Sequence, residues 1–240
     1  MASLARSARW TTWFNAWLGG HVPLDDAAEA VRGDDAAHDV IGLDEQPLPL
    51  DSAWPSLRDR GARLATVALP VAGDPAGLAG PAAFNEHAID AGEAVIVEGA
   101  GLGFVPTVVG SGVFWSAMEA ASPPPSAPVS EAERALREQL VDAARELTEL
   151  DVARWRPEIA DALSDLRSAH GRVLPPGYDE RAERVTALAT RCLRIGDLAL
   201  ADDGNAITRH ETDARRRITF DLQRAARHAV VVACSDRTWR

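Results

Sequence analysis

At 240 residues the chain can bury one or two cores without disulfides or metals. All 25 of its basic residues are arginine, which excludes lysine Schiff-base chemistry and a P-loop lysine. The net charge of −11 is concentrated in residues 1–120, with 16 acidic and 6 basic residues against 20 and 19 in residues 121–240; such a surface repels a phosphate backbone, so no nucleic-acid partner is expected.

The opening residues lack an apolar signal core, and no run of about 18 apolar residues follows. A cytoplasmic location and no membrane partner are therefore expected. Cys192 and Cys234 fall far apart in helical patterns and read as buried thiols of a reducing compartment.

A helix is predicted over residues 5–18, ended by Gly19 and Gly20. It places Trp10, Trp13, Phe14 and Trp17 at i, i+3, i+4 and i+7 on one stripe. Burial within the chain is the preferred reading; the competing one makes these four residues an interface with a protein partner or a second copy. Two short helices are read at about 26–32 and 34–41. In the second, Asp34/His38 and Asp35/Asp39 have the spacing that puts ligands on one face. No H-E-x-x-H accompanies them, and a solvated acidic face is preferred, so no metal is assigned.

Strands are predicted at 63–69, 94–98, 104–109 and 112–118, with a helix at 81–91 between Pro81 and Gly92. The glycines of residues 99–103 imitate a dinucleotide fingerprint, but strand-type residues follow them where a helix is required, and the spacing is G-x-G-x-G. A hairpin turn is expected, and no cofactor is assigned.

The Gly/Pro loop of residues 73–81 joins a strand to a helix, where orphan N–H groups can face a ligand. Gly73, Asp74, Gly77, Gly80, Asn85 and His87 are the candidate ligand-binding residues. No lysine or arginine lies between Arg63 and Arg134, so an anion there would find backbone donors without a counter-charge.

Residues 122–128 (SPPPSAP) are read as a linker. Four helical patterns follow it. Ser130 with Glu133 has the form of a capping box ahead of Leu136, Leu140, Ala144 and Leu147. Pro157 opens a second helix, with Ile159, Leu163 and Leu166 on its stripe. A third runs from about Asp179 to Leu200, and a fourth begins at Thr208. In the fourth, Arg224 and His228 lie one turn apart, a geometry a helical ribonuclease could exploit; beside Arg227 and Asp221, a salt-bridged surface is preferred.

The predicted fold is α+β: a small, largely antiparallel sheet with helices on one side in the N-terminal half, and a four-helix bundle in the C-terminal half. The domain boundaries are 1–121, a linker at 122–128, and 129–240. The lysine-free, Ala/Arg/Asp-rich chain, with WFNAWL at 13–18, GDDAAHDV at 33–40 and ALPVAGDP at 68–75, resembles an uncharacterised actinobacterial protein family. That resemblance implies no activity, cofactor or catalytic residue. The residues contain no catalytic signature. The expected role is binding, through a protein partner or a homo-oligomer; the alternative is a small-molecule enzyme or sensor with its site at residues 73–85.

Overall fold

The computed structural model describes residues 4–149, 172–201 and 209–236. In chain order these form α1 (Arg6–Leu18), α2 (Leu24–Arg32), β1 (His38–Ile41), β2 (Leu48–Pro49), α3 (Leu50–Asp59), β3 (Leu64–Ala68), α4 (Ala82–Ala91), β4 (Ala94–Glu98), β5 (Leu102–Val109), β6 (Gly112–Glu119), α5 (Val129–Glu149), α6 (Glu180–Ala201) and α7 (Arg209–Cys234). The six strands make one sheet in the order β2-β1-β6-β5-β4-β3. It is antiparallel apart from the β1/β6 pair.

Alternation along the strands sorts the core to the two faces. Val95 and Val97 of β4 and Phe104 of β5 join Trp10, Phe14, Trp54 and Trp115 on one side, under α1, α2 and α3. Ala94 and Ile96 of β4 and Val105 of β5 meet Phe84 and Ala88 of α4 on the other. Helices therefore cover both faces, not one, because the α4 stripe is itself apolar and matches the second set of alternating residues.

Residues 34–41 are not a helix. Asp35 lies in a bend, and His38 and Val40 alternate inward along β1, which pairs in parallel with β6 from His38↔Val113 to Ile41↔Ser116. The apparent helical spacing was too short to outweigh a place inside the sheet. Helix α3 has no counterpart among the predicted elements, and Pro55 lies inside it. Its Leu50, Ala53, Trp54 and Leu57 are nonetheless buried at helical spacing, and Pro49 precedes the first turn, where a missing N–H costs nothing.

At the exposed edge of β3, side chains take over the work of a further strand. Asn15 of α1 pairs with both backbone groups of Ala65, donating to its carbonyl at 2.9 Å and accepting from its N–H at 2.7 Å. The N–H of Val67 donates to Ser235 Oγ just past α7 (3.0 Å), and that of Leu69 to the Ala76 carbonyl (2.9 Å). An edge that could template aggregation is thereby closed. It is also where the helical half docks: Leu4, Ala8, Val67, Leu69 and Ala76 share a core with α5, α6 and α7.

Among the described residues the C-terminal half has three helices; the segment expected to begin at Pro157 lies outside them. Ser130 falls within α5 and forms no capping box, the first turn instead bonding to the Pro128 carbonyl. Asp179 does cap α6, accepting from the Ala182 N–H at 2.6 Å.

Candidate site at the seam between loop 73–81 and helix α7

Val71 and Asp74 exchange both backbone hydrogen bonds at 2.9 Å, which closes a tight turn over Ala72 and Gly73. Gly73 takes φ 82°, a conformation that favours glycine. Four residues later, Gly77 (φ 95°) passes so near β3 and α7 that a Cβ would sit 2.7 Å from the Val67 carbonyl oxygen and 3.2 Å from a Val231 methyl. These two glycines turn the loop back and press it onto α7. Asp74 is carried inward, its side chain only 7 % exposed.

Three side chains of α7 meet it. Nε2 of His228 lies 2.8 Å from Asp74 Oδ1; a carboxylate only accepts, so Nε2 carries the proton and Nδ1 is the second ring nitrogen. Arg224 Nε and Arg227 Nη2 stand 3.7 and 3.9 Å from Oδ2, close enough for Coulombic attraction and too far for hydrogen bonds. Among the described residues neither Asp74 Oδ2 nor Arg227 Nε has a hydrogen-bond partner, and both are buried. Arg224 and His228 are exposed at the rim, whereas Arg227 is mostly covered. Burial lowers the Arg227 guanidinium from its ordinary value, with Asp74 opposing that shift. The cluster continues to α6, where Gln223 donates to Asp197 Oδ1 at 2.9 Å across a gap that Gly196 keeps open.

The other candidate residues have different tasks. Asn85 Oδ1 accepts from the Gly80 N–H at 3.0 Å and ties the loop to the first turn of α4. His87 is exposed, with Nδ1 2.8 Å from the carbonyl of Ala83 in its own helix. Trp10 and Phe14 are fully buried, while Trp13 and Trp17 are half-buried. Arg227 joins the site from a position read as exposed salt-bridged surface. Asp74 and His228 are 154 residues apart, so no spacing in the sequence could have paired them.

The acidic group at residues 34–39 forms a lock. Asp35 accepts two hydrogen bonds from Arg6 at 2.8 Å and one from His38 at 3.0 Å. Trp115 Nε1 donates to His38 Nδ1 at 3.2 Å. Because an indole only donates, His38 is neutral, with its proton on Nε2. Burial lowers the His38 pKa, with Asp35 opposing. The hydrogen bonds from Arg6, then that from His38, hold Asp35 well below the usual carboxylate range. Both nitrogens of His38 are thus committed. No group of three or more His, Cys, Asp or Glu side chains among the described residues is arranged to hold a metal. A cleft of about 280 Å³ opens between α2, β1 and the start of α3, lined by Asp25, Glu29, Arg32, Asp39 and Asp51 among others, and shares no residue with the seam.

These features define an α+β protein in which a six-stranded sheet shares a core with the C-terminal helices at its closed edge, with a charged cluster where loop and helix meet. The chain belongs to the Rv1486c-like family: that family's N-terminal domain matches residues 7–131 and its C-terminal domain residues 130–231. It is 30 % identical to the uncharacterized protein Rv1486c of Mycobacterium tuberculosis strain H37Rv, a match covering 95 % of this chain and 96 % of that protein. The uncharacterized protein MT1533 of M. tuberculosis strain CDC 1551 is similar to the same extent. The uncharacterized protein MAV321 of Mycobacterium avium is 32 % identical over 39 % of each chain. No solved structure gives a significant match. Among the described residues no helix is long and apolar enough to cross a membrane.

Proposed function

We propose that the protein works by binding, as a cytoplasmic sensor of a small polar molecule held at the seam between loop 73–81 and α7. The observation that carries this reading is that buried Asp74 Oδ2 and Arg227 Nε lack hydrogen-bond partners among the described residues, beneath exposed Arg224 and His228. Buried charged groups without full pairing are costly and mark places where a further partner completes the set. Thiol chemistry is disfavoured, since burial pushes Cys192 up to about 11 and Cys234 to about 12, and protonated thiols are poor nucleophiles.

Two arginines reaching the loop from α7 favour this reading over one based on protein contacts alone. Native mass spectrometry of the freshly purified full chain tests it. A retained small molecule is expected, and lost in Arg224→Gln; a ligand held equally well by that variant overturns the seam as the site.

The domain reading, with residues 1–121 and 129–240 as units and 122–128 as linker, belongs to the same proposal, as does a fourth bundle helix. Limited proteolysis is expected to nick first between Ala121 and Ser130, because a proline-broken segment makes few buried contacts. Cuts inside α5 or α7 that spare this segment would remove the two-unit reading.

A further inference from the structure

Resting on the seam as the binding site, we infer that its ligand carries a phosphate group, and that Asp74 is the internal carboxylate holding the phosphate's place when the ligand is absent. Two guanidinium groups and an imidazole converge on one carboxylate, so the two guanidinium groups in direct reach of Asp74 outnumber it. A planar carboxylate with two oxygens makes one short contact, to His228 at 2.8 Å, and leaves both arginines beyond hydrogen-bond length at 3.7 and 3.9 Å. A phosphate presents three acceptor oxygens and close to two negative charges near neutral pH. It can take donors from Arg224 and Arg227 together, its charge of about two set against their two.

Access supports the assignment. Arg224 is 63 % exposed and His228 48 % exposed, over an Asp74 that is nearly closed off. A ligand meets exposed Arg224 first and reaches Arg227 at the base. Neighbouring groups of like sign to the ligand are Asp74 itself, Asp197 on α6, engaged by Gln223, and Asp221 one turn before Arg224 on α7. The cations come from a helix more than 140 residues further along the chain than the loop. The absence of basic residues near residues 73–81 is therefore no obstacle.

The test is a titration of the full chain with inorganic phosphate, followed by backbone amide NMR and repeated with chloride at matched ionic strength, with succinate, with a small phosphomonoester and with phosphatidic acid vesicles. Amide shifts at residues 72–78 and 224–228 are expected with phosphate and absent with chloride. Arg224→Gln should weaken phosphate at least tenfold, and Asp74→Asn should strengthen it several-fold by removing the competing charge. Since Arg224 is exposed, its variant keeps the fold. Tighter binding of the phosphomonoester identifies a soluble ligand, and tighter binding of vesicles a headgroup; both support the inference. Shifts at the seam with succinate and none with phosphate would overturn the phosphate assignment and leave the seam standing as a site. No shift at the seam with any anion would overturn both. Equal shifts with chloride would show ionic screening only and overturn the inference. Weaker phosphate binding by Asp74→Asn would overturn the placeholder role of Asp74.

Discussion

The aromatic core under α1 and the charged seam under α7 are both assembled from residues distant in sequence, yet one is closed and the other incomplete. Trp10 has ring centroids of Phe14, Trp54, Phe104 and Trp115 within 4.9 to 6.2 Å, and each of those residues is fully buried. The indole N–H groups of Trp10 and Trp54 lack partners among the described residues, but they are neutral donors enclosed by other rings. At the seam the unpaired atoms belong to charged groups beside solvent-exposed side chains. An unmet neutral donor sealed inside an aromatic cluster is a desolvation cost of about 1–3 kcal/mol that packing offsets; at the rim, a charged group lacking a hydrogen-bond partner can still be reached by one.

The comparison is broken most directly at Trp10. Trp10→Ala opens a cavity at the centre of the cluster and is expected to cost about 3–5 kcal/mol, read as a lower denaturant midpoint. A loss below about 1 kcal/mol, within the range of surface substitutions, would show that the cluster is not the keystone of this half. Next in size is Asp35→Asn, which removes the charge and one of the two acceptor oxygens that join Arg6, Arg9 and His38. With Asp35 largely buried, a loss of about 3 kcal/mol is expected, because partner cations are left uncompensated. Unchanged stability would mean that the arginines simply turn to solvent.

The same lock sets a pH dependence. The folded-state pKa of His38 is depressed, so the unfolded chain takes up the proton first, and stability falls as pH drops below the ordinary imidazole value of about 6.5. Asp35 is also depressed; its contribution is present above the ordinary carboxylate value and is lost at lower pH still. Two successive acid-side losses are expected in urea midpoints measured from pH 8 downward. In His38→Gln the upper one should disappear; its persistence would assign that loss to another group.

What was legible follows from the range over which each force acts. The α1 stripe repeats every three to four residues, so Trp10 and Phe14 could be placed together before any tertiary contact was known. Strands β3 to β6 carry alternating apolar residues and glycine turns, and they lie close to the expected positions. The short strand β1 misled because four residues satisfy a helical period and an alternating one equally well. Helix α3 was hidden by its prolines, although Leu50, Ala53, Trp54 and Leu57 bore the period. Asp74 could be singled out as a loop carboxylate, but its partners could not. The edge of β3 brings Ser235 and Val231 to the sheet, and that docking, which no local pattern encodes, delivers Arg224, Arg227 and His228 to the loop.

The smallest stability effect is expected where the functional claim is strongest. Asp74→Asn exchanges one charged hydrogen bond to His228 for a neutral one and relieves two loose ion pairs, one of them with an exposed arginine. The pair with exposed Arg224 is worth about 0–1 kcal/mol, the hydrogen bond to His228 about 1 kcal/mol, and the covered pair with Arg227 more than a surface pair, while Asn keeps an acceptor for the long Ala76 N–H contact at 3.5 Å. The amide fills the same space. Removing its charge also removes a desolvation cost that the incomplete pairing never fully offset. The net change should therefore be about 1–2 kcal/mol, seen as a modest shift in thermal midpoint with the fold intact. A loss of several kcal/mol would identify Asp74 as a latch that holds the loop on α7, and the seam would then stand beside the aromatic core as structure. A small loss keeps the contrast: one region holds the molecule together, and the other stays underpaired until a ligand arrives.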